Sequence, residues 1–378
     1  MSQVARALER ADEARRGALT LATPSRAPRR AVAIGDPQTT AERFFAVLAH
    51  HDLLDDDGVL RADVQLASLG DHFDFNPRHR APAGQAVDGA RILAWLAAHP
   101  REQVTIVIGN HDASRVMEFS HATDARIAAA RGQLDAPAAE FARAFPELPV
   151  PGLIAKDYLC FVEAQRAQVE RLLLAGRMSL AATAARGGHR RLLVHAGVTM
   201  REVDLLGCAV GVAAIADALQ AHLARAVDAV RARWIAGERA ALDLGDVHVA
   251  GDKGRDDVRL REGGGLLYHR PADPARMHHD ADRPRRYDPR TLPRGVVQVV
   301  GHTNDRKCRR ELAPWLAADL PAYAAVRTLA VGDAADDVVY RAGVIDGVAT
   351  GLVLADPDMS HAAVEDIAIV ELDPGTLR

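Results

Sequence analysis

The run Val104-Thr105-Ile106-Val107-Ile108 stops abruptly at Gly109-Asn110-His111-Asp112. Five apolar, mostly β-branched residues between polar neighbours predict a short buried strand. A carboxamide, an imidazole and a carboxylate then stand at its carboxyl end, where open α/β sheets bind ligands. A helix cap would explain one such ending. It does not explain five. Gly35-Asp36 closes the strand expected over 31–34, and Gly70-Asp71-His72-Phe73-Asp74 closes 64–69. His195-Ala196-Gly197 closes 191–194, and Gly301-His302-Thr303-Asn304 closes 296–300. Helical patterns carrying Phe44, Phe45, Val47 and Leu48, then Ile92, Leu93, Trp95 and Leu96, separate the first three. That alternation predicts an α/β fold. If the five strands lie in one sheet and point the same way, their polar endings meet at one edge.

Carboxylate, carboxamide and imidazole without thiolate suit Mn²⁺, Fe or Zn²⁺. One carboxylate bridging two cations would give a centre that activates water and clamps both oxygens of an in-line displacement at phosphorus. The cysteines, Cys160, Cys208 and Cys308, are far apart and form no C-x-x-C pair, which argues against a disulfide framework and for a reducing cytoplasm. With 47 basic and 51 acidic residues the formal charge is 47 − 51 = −4, so nothing general attracts nucleic acid or an anionic membrane. No run is long enough to span a bilayer, and the first residues lack a secretory apolar core.

Residues 1–30 predict a short helix followed by a loose arm, and 31–378 the main domain. Asp55-Asp56-Asp57-Gly58 lacks calcium-loop spacing and is a solvated turn. Residues 113–190 are rich in Ala, Arg and Leu and predict a helical insertion beside the site, with one long helix before Gly176. Val212, Ile215, Leu219, Leu223, Val227, Val230 and Trp234 recur at helical steps, a core-packing stripe. Residues 241–294 are irregular. Later runs, 325–331, 338–340 and 367–370, predict strands completing a second sheet.

The order G-D-x-x, G-D-x-x-D, G-N-H-D, H-A-G and G-H-T resembles the calcineurin-like metallophosphoesterases. Val194-His195-Ala196-Gly197 and Gly301-His302-Thr303 most resemble the phosphoprotein-phosphatase branch, which includes the symmetrical diadenosine tetraphosphate hydrolases. Gly264-Gly265-Leu266-Leu267-Tyr268-His269-Arg270 is weakly similar to that branch's G-P-L-W-x-R segment. The resemblance covers about 31–112, 191–200 and 264–304. It implies an α/β, two-layer β-sandwich flanked by helices, with the helical insertion added. It also implies two divalent ions. Asp36 would bind the first, Asp71 would bridge both, and Asn110, His195 and His302 would bind the second. His111, held by Asp74, would be the general acid, and a hydroxide held between the metals the nucleophile.

Three positions depart from that pattern. Gln38 stands where the family has histidine, offering a neutral carbonyl oxygen. Asn304 stands where other branches carry a second histidine. Phe75 replaces the arginine that grips phosphate in protein phosphatases, leaving Arg78, Arg80, Arg115 or the Arg306-Lys307 pair as substitutes whose default is solvated charge. With Gln38 and Asn304 as oxygen donors, the expected ions are Mn²⁺ first, with Fe, Zn²⁺ or Mg²⁺ as alternatives. The expected activity is hydrolysis of phosphate monoesters: phosphorylated small molecules, nucleotides or phosphoproteins. Dinucleoside polyphosphate hydrolysis is the rival enzyme, and a binding module with a degenerate site the rival of another class. No basic, aromatic-interleaved groove indicates a nuclease.

Overall fold

The computed structural model describes residues 2–24, 26–75, 82–148, 160–250, 263–277, 285–334 and 337–378. The chain is mixed α/β, with two main sheets. In the first, β1 (Arg30–Ile34), β2 (Val64–Ser68), β3 (Val104–Val107) and β4 (Met178–Ser179) run parallel, side by side in that order. The second contains β5 (Ala181–Arg186) and β6 (His189–Val194) as a hairpin. Two small ladders follow in sequence. One pairs β7 (His248–Val249) with β8 (Gly264–Gly265), the other β9 (Arg270–Pro271) with β10 (Arg286–Tyr287). The second sheet is completed by β11 (Val297–Val300), β12 (Arg327–Val331), β13 (Val338–Ala342) and β14 (Gly351–Leu354), in the order β13-β12-β14-β11-β6-β5. The last strand, β15 (Val370–Leu372), pairs antiparallel with β1.

The one-sheet expectation is therefore corrected. Three motif strands, β1 to β3, lie in the first sheet, and two, β6 and β11, lie in the second. The long connection between β3 and β6 is what divides them: it ends by adding β4 to one sheet and β5 to the other. Residue alternation explains why both faces of the first sheet are apolar. Val32, Ile34 and Leu66 join Phe44, Phe45 and Trp95 in the helix-covered core. Ala31, Ala33, Ala67 and Val107 join Leu193, Val297, Val299 and Val353 of the second sheet. The small alanines suit that shared layer.

Other expectations shift in detail. The short helix expected at the N-terminus forms and packs against the helix Pro82–Ala98. The Gln3–Arg15 helix is capped by Ser2, buries Ala7 and Ala11, and is tied by Asp12 to Arg91 at 2.7 Å. The insertion is helical at Asp124–Arg131, Ala138–Ala144 and Glu163–Leu174. Its end, expected to be helical, is β4 and β5 instead. Gly187 and Gly188, both at positive φ (57° and 76°), form the two-residue turn between β5 and β6. Such a turn matches the strand twist and overrides the helix propensity of the alanines before it. The Val212–Ile235 helix buries Ile215, Leu219, Leu223, Val227, Val230 and Trp234, as its spacing requires. In the tail, the 367–370 run contributes Val370 to β15 and so to the first sheet, not the second. No helix among the described residues is long and apolar enough to cross a membrane.

Candidate metal centre

The five polar endings meet despite belonging to two sheets, and backbone hydrogen bonds join them. Leu69 N–H donates to Ile34 O at 2.9 Å, and Gly301 N–H to His195 O at 2.9 Å. His195 Nδ1 lies 2.7 Å from Leu69 O, and His302 N–H donates to Asp36 Oδ1 at 2.7 Å. Gln298 secures the loop after β6: its amide donates to Val198 O and accepts from Val198 N–H, both at 2.7 Å. Asp112 joins the loops after β2 and β3. Its carboxylate accepts from Gly109 N–H at 2.9 Å and from Asp71 and His72 N–H at 3.0 Å each. It also faces His72 Nδ1 at 3.0 Å, and His72 Nε2 contacts Ser68 Oγ at 2.9 Å. Asp112 thus caps the short helix that begins at Asn110 and also ties the two loops together. A β-carbon at Gly109 would collide with Asp71, which is why glycine stands there.

The backbone is strained at the same place. Among the described residues six non-glycines have positive φ, and four belong to the motifs: Asp36 (35°), Asp71 (59°), Asp74 (63°) and His302 (64°). Left-handed backbone at such residues costs on the order of 1–3 kcal/mol each and persists where surroundings enforce it, commonly at functional sites.

Asp71, His195 and His302 are buried, and one ligand atom from each lies within 4.8 Å of the others. His195 Nδ1 faces the Leu69 carbonyl, leaving Nε2 toward Asp71 Oδ1 at 3.4 Å. His302 Nε2 faces Tyr268 O at 2.9 Å, leaving Nδ1 inward. The Asn110 amide completes the group. One of its two terminal atoms lies 3.0 Å from His195 Nε2, 3.0 Å from His302 Nδ1 and 3.2 Å from Asp71 Oδ2. As nitrogen, that atom donates into the group; as oxygen, it would face a shared cation. Each imidazole thus has one nitrogen held by a carbonyl and the other turned inward, the arrangement of metal-ligating histidines. The donor set could hold a metal ion.

Charge balance agrees. Burial lowers the proton affinity of the His195 imidazole, but Asp71 overrides it and lifts the ring to about 9. Burial pushes the Asp71 carboxyl up, while His195 and His111 hold it below the usual range. A cation between them would take over the role of that proton. Burial pushes the His302 imidazole well down, and Arg270 adds to this.

Beside this group, His111 Nδ1 is 2.9 Å from Asp74 Oδ2, and the ring retains partial exposure. Burial raises the Asp74 carboxyl, but Arg115 and His111 together hold it below the usual range. Arg115 is fully buried. It grips Asp74 with two nitrogens at 2.6 and 2.7 Å, reaches Gln165 Oε1 at 3.1 Å, and stacks near Phe73. Its two nitrogens on Asp74 brace the His111–Asp74 pair from behind. Cys160 Sγ, 2.7 Å from Asp74 Oδ1, was not anticipated in this cluster.

On the far side, Asp36 is buried and its carboxyl pKa is raised well above the usual range, by burial first and then by Asp356. Asp356, just beyond β14, carried no motif. Gln38 turns its amide nitrogen to Phe73 O at 2.9 Å. Asn304 Oδ1 accepts from Lys307 N–H at 3.0 Å and so caps the Asp305–Glu311 helix. Arg78 and Arg80 fall outside the described residues. Two cations that the sequence offered lie in this region: Arg270, whose Nε is buried without a hydrogen-bond partner, and Lys307.

No protein-family model matches the chain, and no curated protein matches it. Among solved structures, a cold-active protein tyrosine phosphatase aligns over 97% of this chain and 82% of that one, at 11% identity and a TM-score of 0.39. The cold-active protein-tyrosine phosphatase of a psychrophile, Shewanella sp., aligns over 97% and 83%, at 13% identity and a TM-score of 0.41. At these values the likeness leaves the site to be read from its own geometry.

Proposed function

We propose that this chain is a metal-dependent phosphoesterase acting on phosphate monoesters, with phosphorylated small molecules, nucleotides or phosphoproteins as substrates. The observation that carries this reading is the convergence of Asp71, Asn110, His195 and His302 beside a partly exposed His111 braced by Asp74. Imidazole, amide and carboxylate without thiolate favour Mn²⁺, with Fe, Zn²⁺ or Mg²⁺ as alternatives. A divalent ion held there would polarise a phosphoryl oxygen and make water a competent nucleophile near neutral pH.

The chain's own residues would do the rest. His111 would donate a proton from Nε2 to the departing ester oxygen, its ring oriented by the Asp74 contact at Nδ1. Arg115 would keep Asp74 ionised and in register. Arg270 and Lys307 would supply the positive charge that an arginine at position 75 supplies in the resembling branch. The apolar layer shared by the two sheets supports the metallophosphoesterase-type sandwich, and three free cysteines accord with a cytoplasmic location.

The test is turnover by chelator-treated protein reloaded with Mn²⁺, offered p-nitrophenyl phosphate, its bis-ester and diadenosine tetraphosphate. Release from the monoester is expected to dominate. Preference for the tetraphosphate would move the assignment to dinucleoside polyphosphate hydrolysis. No turnover of any of the three, with Mn²⁺ bound, would overturn catalysis and leave a binding module.

A further inference from the structure

We propose, resting on the metal-dependent reading above, that the centre holds one tightly bound divalent ion rather than a matched pair, with Lys307 supplying positive charge on the Asp36 side. The resemblance implies a second ion between Asp36, Asp71 and position 38, and the residues there fit it poorly. Asp36 Oδ1 accepts the His302 N–H at 2.7 Å, which leaves Oδ2 as its open oxygen. Gln38 presents no imidazole, and its amide nitrogen is held by Phe73 O, so at most a neutral carbonyl remains. Asn304 spends its side-chain oxygen on a helix cap. Among the described residues, Asp71, His195 and His302 are the one group bringing three carboxylate or imidazole donors within 4.8 Å of one another.

The charges point the same way. Asp36, Asp71 and Asp356 are all buried, and Asp36 and Asp71 follow adjacent strands of the first sheet. Lys307 is the third residue of the Asp305–Glu311 helix that Asn304 caps, in the first turn after the His302 loop. Its backbone N–H donates to Asn304 Oδ1 at 3.0 Å, which ties the residue to the turn after His302. A fixed monovalent charge there offsets part of the acidic cluster and repels a second divalent cation. The two sides therefore differ in kind. One brings two inward-facing imidazole nitrogens to a carboxylate, the other a carboxylate, an amide whose nitrogen is turned away, and a lysine.

The test is a Mn²⁺ titration of the full-length, chelator-stripped chain, read by calorimetry and by electron paramagnetic resonance. One equivalent is expected at high affinity, with the six-line signal of an isolated ion. Any second equivalent should bind at least roughly 100-fold more weakly. Asp36→Asn should keep the tight equivalent and His195→Ala should lose it. Two equivalents of similar affinity, with an exchange-coupled signal and Asp36→Asn falling to one, would overturn the single-ion proposal while leaving metal dependence intact. Failure of the wild-type chain to bind Mn²⁺ at all would bring down both.

Discussion

His99 and His195 are both enclosed imidazoles, and burial has opposite outcomes at the two. His99 lies under the helices covering the first sheet. Leu60 N–H donates to its Nε2 at 3.0 Å, and its Nδ1 faces Trp95 O at 2.8 Å. Burial prevails, Arg177 adds to it, and the ring's pKa falls to about 4. At the strand ends Asp71 reverses that effect and His195 rises to about 9. The helix-covered region satisfies its buried polar atoms with neutral backbone. The strand-end region buries ions on a strained backbone. The second arrangement costs stability locally, so it is the one that calls for a functional explanation.

Variants can break that contrast, and the largest effect is expected at the brace. Arg115→Met leaves Asp74 buried without its bidentate partner and should cost about 3–5 kcal/mol, measured by urea denaturation. A loss below about 1 kcal/mol would mean that Asp74 is not held as described. Acid should act on the helix-covered region next. His99 has a folded pKa of about 4 against about 6.5 unfolded. Its folded value is depressed, so its contribution is complete above the unfolded value and is lost as pH falls from about 6.5 toward 4. The expected loss is on the order of 3 kcal/mol. Unfolding curves at pH 7.5 and 5 should diverge less in His99→Gln than in the wild type; equal divergence would contradict the assignment.

The loop junction comes third. Asp112→Asn replaces an acceptor facing the Asp71 and Gly109 N–H groups with a donor, and should weaken Mn²⁺ binding by about 10-fold. Unchanged binding would make Asp112 a cap alone. The smallest change is expected at Asn304→Ala, which should cost about 1 kcal/mol of stability through the lost cap. Its Mn²⁺ stoichiometry should stay unchanged, and loss of an ion would restore Asn304 as a ligand.

How far the site was legible in sequence follows the same division. Asn110, Asp71, His195 and His302 were visible because each ends an apolar run, and strand ends are where the chain turns polar. The pairing of His111 with Asp74 was visible through the family order alone. Arg115 was not, because a lone arginine in a turn is solvated unless a partner 41 residues away and the Phe73 ring enclose it. Asp112 was half seen, since its bonds to the neighbouring loop depend on two strands lying side by side. Gln38 and Asn304 each carry a carbonyl oxygen, and only geometry reveals that one amide turns to Phe73 and the other oxygen caps a helix. The division into two sheets was hidden because parallel strands of either sheet look alike along the chain, and the Gly187-Gly188 turn that starts the second was passed over.

The most direct measurement is phosphate release from p-nitrophenyl phosphate by the chelator-stripped chain as Mn²⁺ is returned, in parallel with His195→Ala. The account predicts no release without metal, recovery in the wild type, and a deficit greater than roughly 100-fold in the variant at the same Mn²⁺. Equal release with and without metal, or full recovery in His195→Ala, would contradict it.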